Sequence, residues 1–303
     1  MIVGLRIRIQ DDGDGGPVES HTQDRDRSGD VDVLREELDR FPRCTAVHDL
    51  PLLDVVDVDA LLLEVFHIGQ RFRSVGGYQL NKAIVVDSVE DELYHCDLVI
   101  EAASQVAAKD ILAKTVGRGV DIMVMSVGAL VDDDFRDMVY DKAKNCDAHI
   151  FIPSGALFGT DGLRAASQDK LSTVELISTS GPKSLANIEY FDKQGINVND
   201  IKERKVVYSG TAREAVKLFP QNINIAATLA IMGAGFDRTT VTIVLDPDAK
   251  TNTHELIVKG AFGKSKCQTE NVASPDNPST SYLATLSAIT ALKRIIRNEW
   301  AGI

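Results

Sequence analysis

The sequence predicts an α/β protein: a Rossmann-type parallel sheet domain followed by a second, α+β catalytic domain built on a mixed sheet. Three observations predict it. Three short apolar strands alternate with helical segments between residues 97 and 153. After Pro153 the strands become alternating in character and richer in Val, Ile and Thr. And 303 residues suffice for two domains, each with its own core.

MIVGL begins the chain as a first strand. HCDLVIEAAS carries a short apolar run, Leu98 to Ile100, that reads as a buried strand entering a turn. Val106, Ile111, Leu112 and Val116 have helical spacing over 105–116, and Gly117 and Gly119 end the helix. VDIMVMSVGAL is a second buried strand. Asp132, Asp133 and Asp134 then supply the carboxylates that a helix N-terminus favours, with Phe135, Met138, Val139 and Ala143 as the apolar face. AHIFIPSGA is the third strand.

Beyond it, LSTVELIST, ERKVVYSG, TTVTIVLD and HELIVKGAFG read as strands, with helices expected over 211–219 and 223–232. An amphipathic helix over 278–300 closes the chain, and Lys293, Arg294 and Arg297 sit in its last turns. The expected organisation is a dinucleotide-binding domain over 1–153, a substrate and catalytic domain over 154–273, and a C-terminal helix, 274–303, that packs back on the first domain.

The first segment stands apart in composition. Residues 1–81 contain nine Arg and no Lys, whereas the rest of the chain holds all 16 Lys and eight Arg. DDGDGGPVESHTQDRDRSGDVD has too little apolar surface to offset chain entropy and reads as a loop. The same Asp/Arg/Gly bias is what out-of-frame translation of GC-rich DNA would produce, so residues 6–81 are anomalous on either reading.

The net charge of −12 argues against nucleic-acid and anionic-membrane partners, which select clustered Lys and Arg. No apolar run approaches the roughly 20 residues of a membrane span, and no export signal is visible, so a cytoplasmic protein is expected. Cys44, Cys96, Cys146 and Cys267 lack metal-ligand spacing and read as reduced thiols; no metal is expected.

Ligands of an open parallel sheet bind beyond the C-terminal ends of its strands. The three exits, from Glu101 to Ser104 with Ala103, from Ser126 through Gly128 to Ala129, and from Pro153 to Ala156, are built of small residues. Such residues admit a flat ligand to the backbone, or simply make tight turns; three in succession favour a nucleotide crevice. Asp49, ending TAVHD, could be the acid on a cofactor ribose or a surface residue. Asn222 and Asn224 precede an apolar helix, where Asn reads as an N-cap or as an amide directed into the cleft. His254 lies in a strand between Asn252 and Glu255 and is the natural proton shuttle of the chain. His21, His48 and His67 fall in the anomalous segment, and His95 and His149 stand at strand entrances, away from the crevice.

SGALFGTDGLRAAS, LFPQNINIAATLA, TNTHELIVKGAFG and NPSTSYLATLSAI, with EAASQ and SVGAL upstream, resemble in order and spacing the L-aspartate dehydrogenase family over about residues 87–303. The resemblance implies NAD(P)-dependent oxidation of L-aspartate to iminoaspartate or oxaloacetate, or the reverse reductive amination with ammonia, in a homodimer whose product feeds NAD biosynthesis. It implies that His254 is catalytic and that Ala156 and Asn224 contact NAD or NADP. Thr228, one helical turn after Asn224, and Asn252 are the expected substrate contacts. One departure stands out: the family's first strand runs into GxGxxG, and this chain contains no GxGxxG. The alternatives are a related reductase of another small acid and a non-catalytic copy that has lost its phosphate loop.

Overall fold

The computed structural model describes residues 2–5, 93 and 96–297, apart from 187, 221–222 and 276–279. Asp49, the compositional anomaly over 6–81, and His21, His48, His67 and His95 lie outside the described residues.

The first unit holds a four-stranded sheet in the order β1 (Ile2–Leu5), β2 (Leu98–Glu101), β3 (Asp121–Val124), β4 (Ile150–Phe151). Strands β2, β3 and β4 are parallel, as alternation with helices requires. β1 differs from these three: it pairs antiparallel with β2, Ile2 opposite Glu101. The physical reason lies in the sequence after Leu5. A parallel placement needs a helical crossover, and no apolar helical pattern succeeds this strand.

Helix α1 (Gln105–Val116) has the expected bounds because Ser104 caps it, its hydroxyl accepting from Ala107 N–H at 3.2 Å. Its buried face, Ala108, Ile111, Leu112 and Val116, packs with Val99, Ile122 and Val124 of the sheet. Helix α2 (Asp133–Asn145) is capped by Asp132, which accepts from Phe135 N–H at 3.0 Å. Val139 and Ala143 form its buried face and Phe135 packs partly against the core, but Met138 is exposed, which narrows the expected apolar stripe.

The second unit is a five-stranded mixed sheet in the order β6 (Lys205–Thr211), β7 (Thr239–Leu245), β5 (Leu171–Ser180), β8 (Asn252–Gly260), β9 (Gly263–Asn271). β5 runs parallel to β7, and the remaining pairs are antiparallel. Inward-facing Val174, Leu176, Val241, Ile243, Leu256 and Val258 share one core with the helices laid over that face. These are α3 (Thr160–Ala166), α4 (Pro182–Leu185), α5 (Glu189–Lys193), α6 (Ala212–Leu218) and α7 (Asn224–Met232). A register shift between Val206 and Tyr208 turns both Val207 and Tyr208 inward, where Tyr208 meets Tyr190 and Phe219 edge-on.

β9 is absent from the sequence reading because its outward residues are Lys264, Lys266, Gln268 and Glu270, which erase the apolar alternation of an interior strand. The last helix, α8 (Tyr282–Arg297), starts later than the pattern suggests, since Ser281 pairs with Ala273 in an isolated bridge. Its Ala288 and Leu292 are buried with Leu98, Ile100 and Met123 on the face of the parallel sheet opposite α1. Among the described residues no helix is long and apolar enough to cross a membrane.

Candidate active site

The C-terminal ends of β2 and β3 are tied together by Glu101, whose carboxylate is fully buried. Its Oε1 accepts from Ala103 N–H at 2.8 Å and its Oε2 from Ser126 N–H at 3.0 Å. A buried carboxylate that accepts two backbone amides is well compensated, and it fixes both turns relative to each other. Ala103 is exposed at the first turn, while Ser126 is buried and leads into a 3-10 turn, Val127–Val131, that is buried throughout. Ala129 is part of the hydrophobic core of this unit, with its N–H on Ser126 O at 2.9 Å.

Gly128 is where the two units meet. Its N–H donates to Asn224 Oδ1 at 3.2 Å, and Gln105 Nε2 donates to the same oxygen at 3.3 Å and to Pro220 O at 2.8 Å. A Cβ at Gly128 would displace the Gln105 amide from its present place beside Asn224. Asn224 is therefore not the N-cap that its place suggests. Ile223 occupies the cap position without a side-chain hydrogen bond, and the Asn224 amide reaches across to the first unit. Asn222 lies outside the described residues.

A second junction surrounds Arg213, at the start of α6. It donates to Val131 O at 2.7 Å, to Asp133 Oδ2 at 2.8 Å and to Asp237 Oδ1 at 2.6 Å. Hydrogen bonds to Asp237 and Asp133 hold the guanidinium proton more firmly than usual, and the Arg213 guanidinium holds the Asp237 carboxyl below its ordinary value. Clefts of about 560 Å³ and 810 Å³ open on either side of this junction, and neither is lined by His254.

His254 sits on β8, directly opposite Ser178 of β5 and Thr269 of β9. It extends the inward stripe of Val258 and Leu256, so the apolar face of the sheet becomes polar at this end. Ser178, Ser180, His254, Thr269 and Asn271 are all buried there. His254 Nδ1 lies 3.1 Å from Ser178 Oγ. Burial alone pushes the imidazole down to about 4, so it is neutral at neutral pH.

The loop after β4 lies over this polar end. Gly155, in the left-handed region at φ +70°, donates its N–H to Ser287 Oγ of α8 at 3.1 Å. Ala156 O accepts from Asn271 Nδ2 at 3.1 Å, and Phe158 N–H donates to Thr269 Oγ1 at 3.4 Å. On its other side, a Cβ at Gly155 would stand 3.6 Å from Ile225, next to Asn224. The loop thus brings Ala156 between the His254 strand and the Asn224 helix.

Asn252 is half-buried on the same side of β8 as His254, opposite Asn271. Thr228, the expected substrate contact, is 2 % exposed, and its hydroxyl donates to Asn224 O at 3.2 Å, a bond back to its own helix that leaves only its acceptor lone pairs.

Sequence reasoning passed over Glu101, Gln105, Ser178, Thr269 and Asn271. A signal for Ser178 and Ser180 was present: in LSTVELISTS they hold the inward phase of an alternating strand, where apolar residues are expected.

The arrangement suits the nicotinamide end of a dinucleotide. Small residues line two strand exits, and Gly128 carries no side chain where its backbone faces Gln105 and Asn224. The pyrophosphate end has no GxGxxG to receive it.

Comparison with known proteins agrees with this geometry. The family model for the aspartate dehydrogenase C-terminal domain matches residues 161–295, and a model described as the NAD binding domain of homoserine dehydrogenase matches residues 63–153. The chain is 43 % identical over 214 residues to the L-aspartate dehydrogenase of Methanosarcina acetivorans, covering 71 % of this chain and 79 % of that protein. It is 44 % identical over 203 residues to that of Nitrosopumilus maritimus, covering 67 % and 74 %. The crystal structure of aspartate dehydrogenase from Thermotoga maritima superposes with a TM-score of 0.57 at 27 % identity, over 80 % of this chain and 93 % of that one. With a parallel-sheet unit, a mixed-sheet unit and this degree of identity, the chain belongs to the L-aspartate dehydrogenase family.

Proposed function

We propose that this enzyme oxidises L-aspartate with NAD or NADP, releasing iminoaspartate or oxaloacetate and ammonia, and that His254 handles the protons. The observation that carries the reading is that the Ala156 loop bonds to Asn271 and Thr269 beside the His254 strand and lies against Ile225, next to Asn224.

In this reading the dinucleotide, when bound, supplies the hydride acceptor. The Ser126–Gly128 turn, Ala156 and Asn224 would hold its nicotinamide end, with Ala103 at the neighbouring exit. Asn224 is well set for this, because Gly128 and Gln105 fix its carbonyl and so orient its NH2. Ala129 supports the turn from the core. The substrate sits over Asn252 and His254. The neutral imidazole receives the proton that the substrate ammonium must lose before hydride leaves, releases it to solvent, and, neutral again, takes one from the water that attacks the iminium carbon and passes it to the departing amine. A buried, water-poor base strengthens its interaction with the ammonium it faces.

The domain limits we propose are residues 1–153 for the dinucleotide, 154–273 for the substrate, and 274–303 as the returning helix. We further propose a cytoplasmic homodimer whose iminoaspartate enters NAD biosynthesis. The dimer reading is supported by the sheet face that Thr173, Ile177, Thr253 and Ile257 present away from the helices.

The test is to incubate the purified chain with L-aspartate and NAD or NADP and to follow reduced nicotinamide absorbance. Turnover of L-aspartate is expected. Turnover only of another small acid would overturn the substrate, and no thermal stabilisation by millimolar dinucleotide would overturn cofactor binding.

A further inference from the structure

We infer that Ser178 is the positioning residue for His254: its buried hydroxyl holds the imidazole and lets the ring proton sit on either nitrogen. This rests on the reading of His254 as the catalytic residue. Ser178 and His254 are 5 % and 7 % exposed, stand opposite each other on β5 and β8, and bring Oγ and Nδ1 to 3.1 Å. Among the described residues, Ser178 Oγ has no other hydrogen-bond partner, and Nε2 of His254 has none.

The chemistry of the partner decides what the ring can do. A carboxylate or a backbone carbonyl beside Nδ1 could only accept, and would keep the proton on Nδ1. A hydroxyl both donates and accepts. When Ser178 O–H donates to Nδ1, the ring proton is on Nε2, and that nitrogen is a donor. When the hydroxyl turns and Nδ1–H donates to Oγ, Nε2 offers a lone pair. Amino-acid oxidation and its reverse require both states from one group, which must take a proton from the ammonium and return one to the amine.

The partner also brings no charge. Thr269 faces His254 from β9, Asn252 and Leu256 flank it on its own strand, and neither the Ser154–Gly159 loop nor α7 contains an ionisable residue. No charged side chain among the described residues acts on the ring, so nothing offsets its burial. A serine thus keeps a neutral imidazole available where an aspartate would hold an imidazolium.

The test uses the full chain with Ser178→Ala, Ser178→Thr and Ser178→Asp. The two ring nitrogens of His254 are read by 15N NMR, assigned with His254→Asn, and kcat/KM for L-aspartate is measured against pH. Ser178→Ala is expected to change the ring-nitrogen pattern and to lower kcat roughly 10- to 100-fold with KM little changed, the range seen when a working histidine loses the group that orients it. Ser178→Thr should restore most of both. Ser178→Asp should move the acid limb upward by about one unit or more, because an adjacent carboxylate favours the charged ring. Should Ser178→Ala fail to fold, Ser178→Cys, close in size and a weak donor, carries the same readouts.

A Ser178→Ala variant with the parent's nitrogen pattern and pH profile overturns the inference, whatever its rate. Retained turnover in His254→Asn overturns the catalytic reading instead, and the nitrogen pattern of Ser178→Ala still decides whether the hydroxyl sets the ring.

Discussion

The two ends that form the site solve the same problem by different means. At the parallel sheet, a buried carboxylate, Glu101, satisfies the amides of two turns, and the side chains around it are small. At the mixed sheet the buried groups are neutral side chains: Ser178 and Thr269 stand opposite His254, and Asn271 stands opposite Asn252. The first end is built of backbone held by charge, and the second of side chains held by backbone register. Backbone N–H groups and missing Cβ atoms suit a flat cofactor, whereas an imidazole without a charged neighbour suits proton traffic.

The largest expected effect breaks the second end alone. His254→Asn should lower kcat about 10³-fold, in the range for a lost general acid–base, while dinucleotide affinity changes little. Steady-state kinetics paired with calorimetric NAD(P) binding checks both parts. An equal loss in both would mean that the two ends are not separable.

The same residue gives the next effect, on stability. Burial lowers the folded-state value of His254 to about 4 from 6.5 in the unfolded chain. Above about pH 6.5 the ring is neutral in both states and native stability is at its full value. Between 6.5 and 4 the unfolded chain takes up a proton that the native ring refuses, so stability falls as pH falls, by roughly 3 kcal/mol once pH 4 is reached. Denaturant melts of the parent and of His254→Asn at pH 7 and pH 4.5 should differ in this window, with the variant losing less. Identical acid losses would place the effect on other groups.

The first end should respond to Glu101→Ala. That change leaves the Ala103 and Ser126 amides without their acceptor and costs about 1–3 kcal/mol, with a raised KM for the dinucleotide and a smaller change in kcat. A variant that loses kcat at unchanged KM would show that the turns serve the chemistry rather than the cofactor.

These ends differ in how far they can be read without coordinates. Helix α1 was legible to the residue because Ser104 and Gly117 bracket an apolar period, and β2, β3, β5, β7 and β8 were legible from Val and Ile runs. β9 was not, because only Cys267, Thr269 and Asn271 turn inward and a strand so polar has no period to see. His254 was legible through its linked motifs, but Ser178 was not, since pairing across β5 and β8 is set by register between residues 76 positions apart. Asn224 shows what local rules leave open. They offered a cap or an amide directed into the cleft, and a contact between units decides against the cap. β1 shows a third case, where strand character was legible and strand direction, set by pairing with β2, was not.

The smallest expected effect falls on the joint between the ends. Asn271 is 5 % exposed; it donates to Ala156 O at 3.1 Å and accepts from Ser281 Oγ at 2.7 Å. It therefore ties the loop after β4 to the strand beside His254 and to the segment that enters α8. Asn271→Ala should cost about 1 kcal/mol, the net worth of a buried hydrogen bond, which a denaturant melt resolves. Its kinetic signature is more telling than its cost. With Ala156 less firmly held, KM for the dinucleotide and kcat should worsen together, because the loop positions cofactor and substrate toward each other. A change confined to KM would assign the loop to the cofactor end alone, and a change confined to kcat would assign it to the histidine.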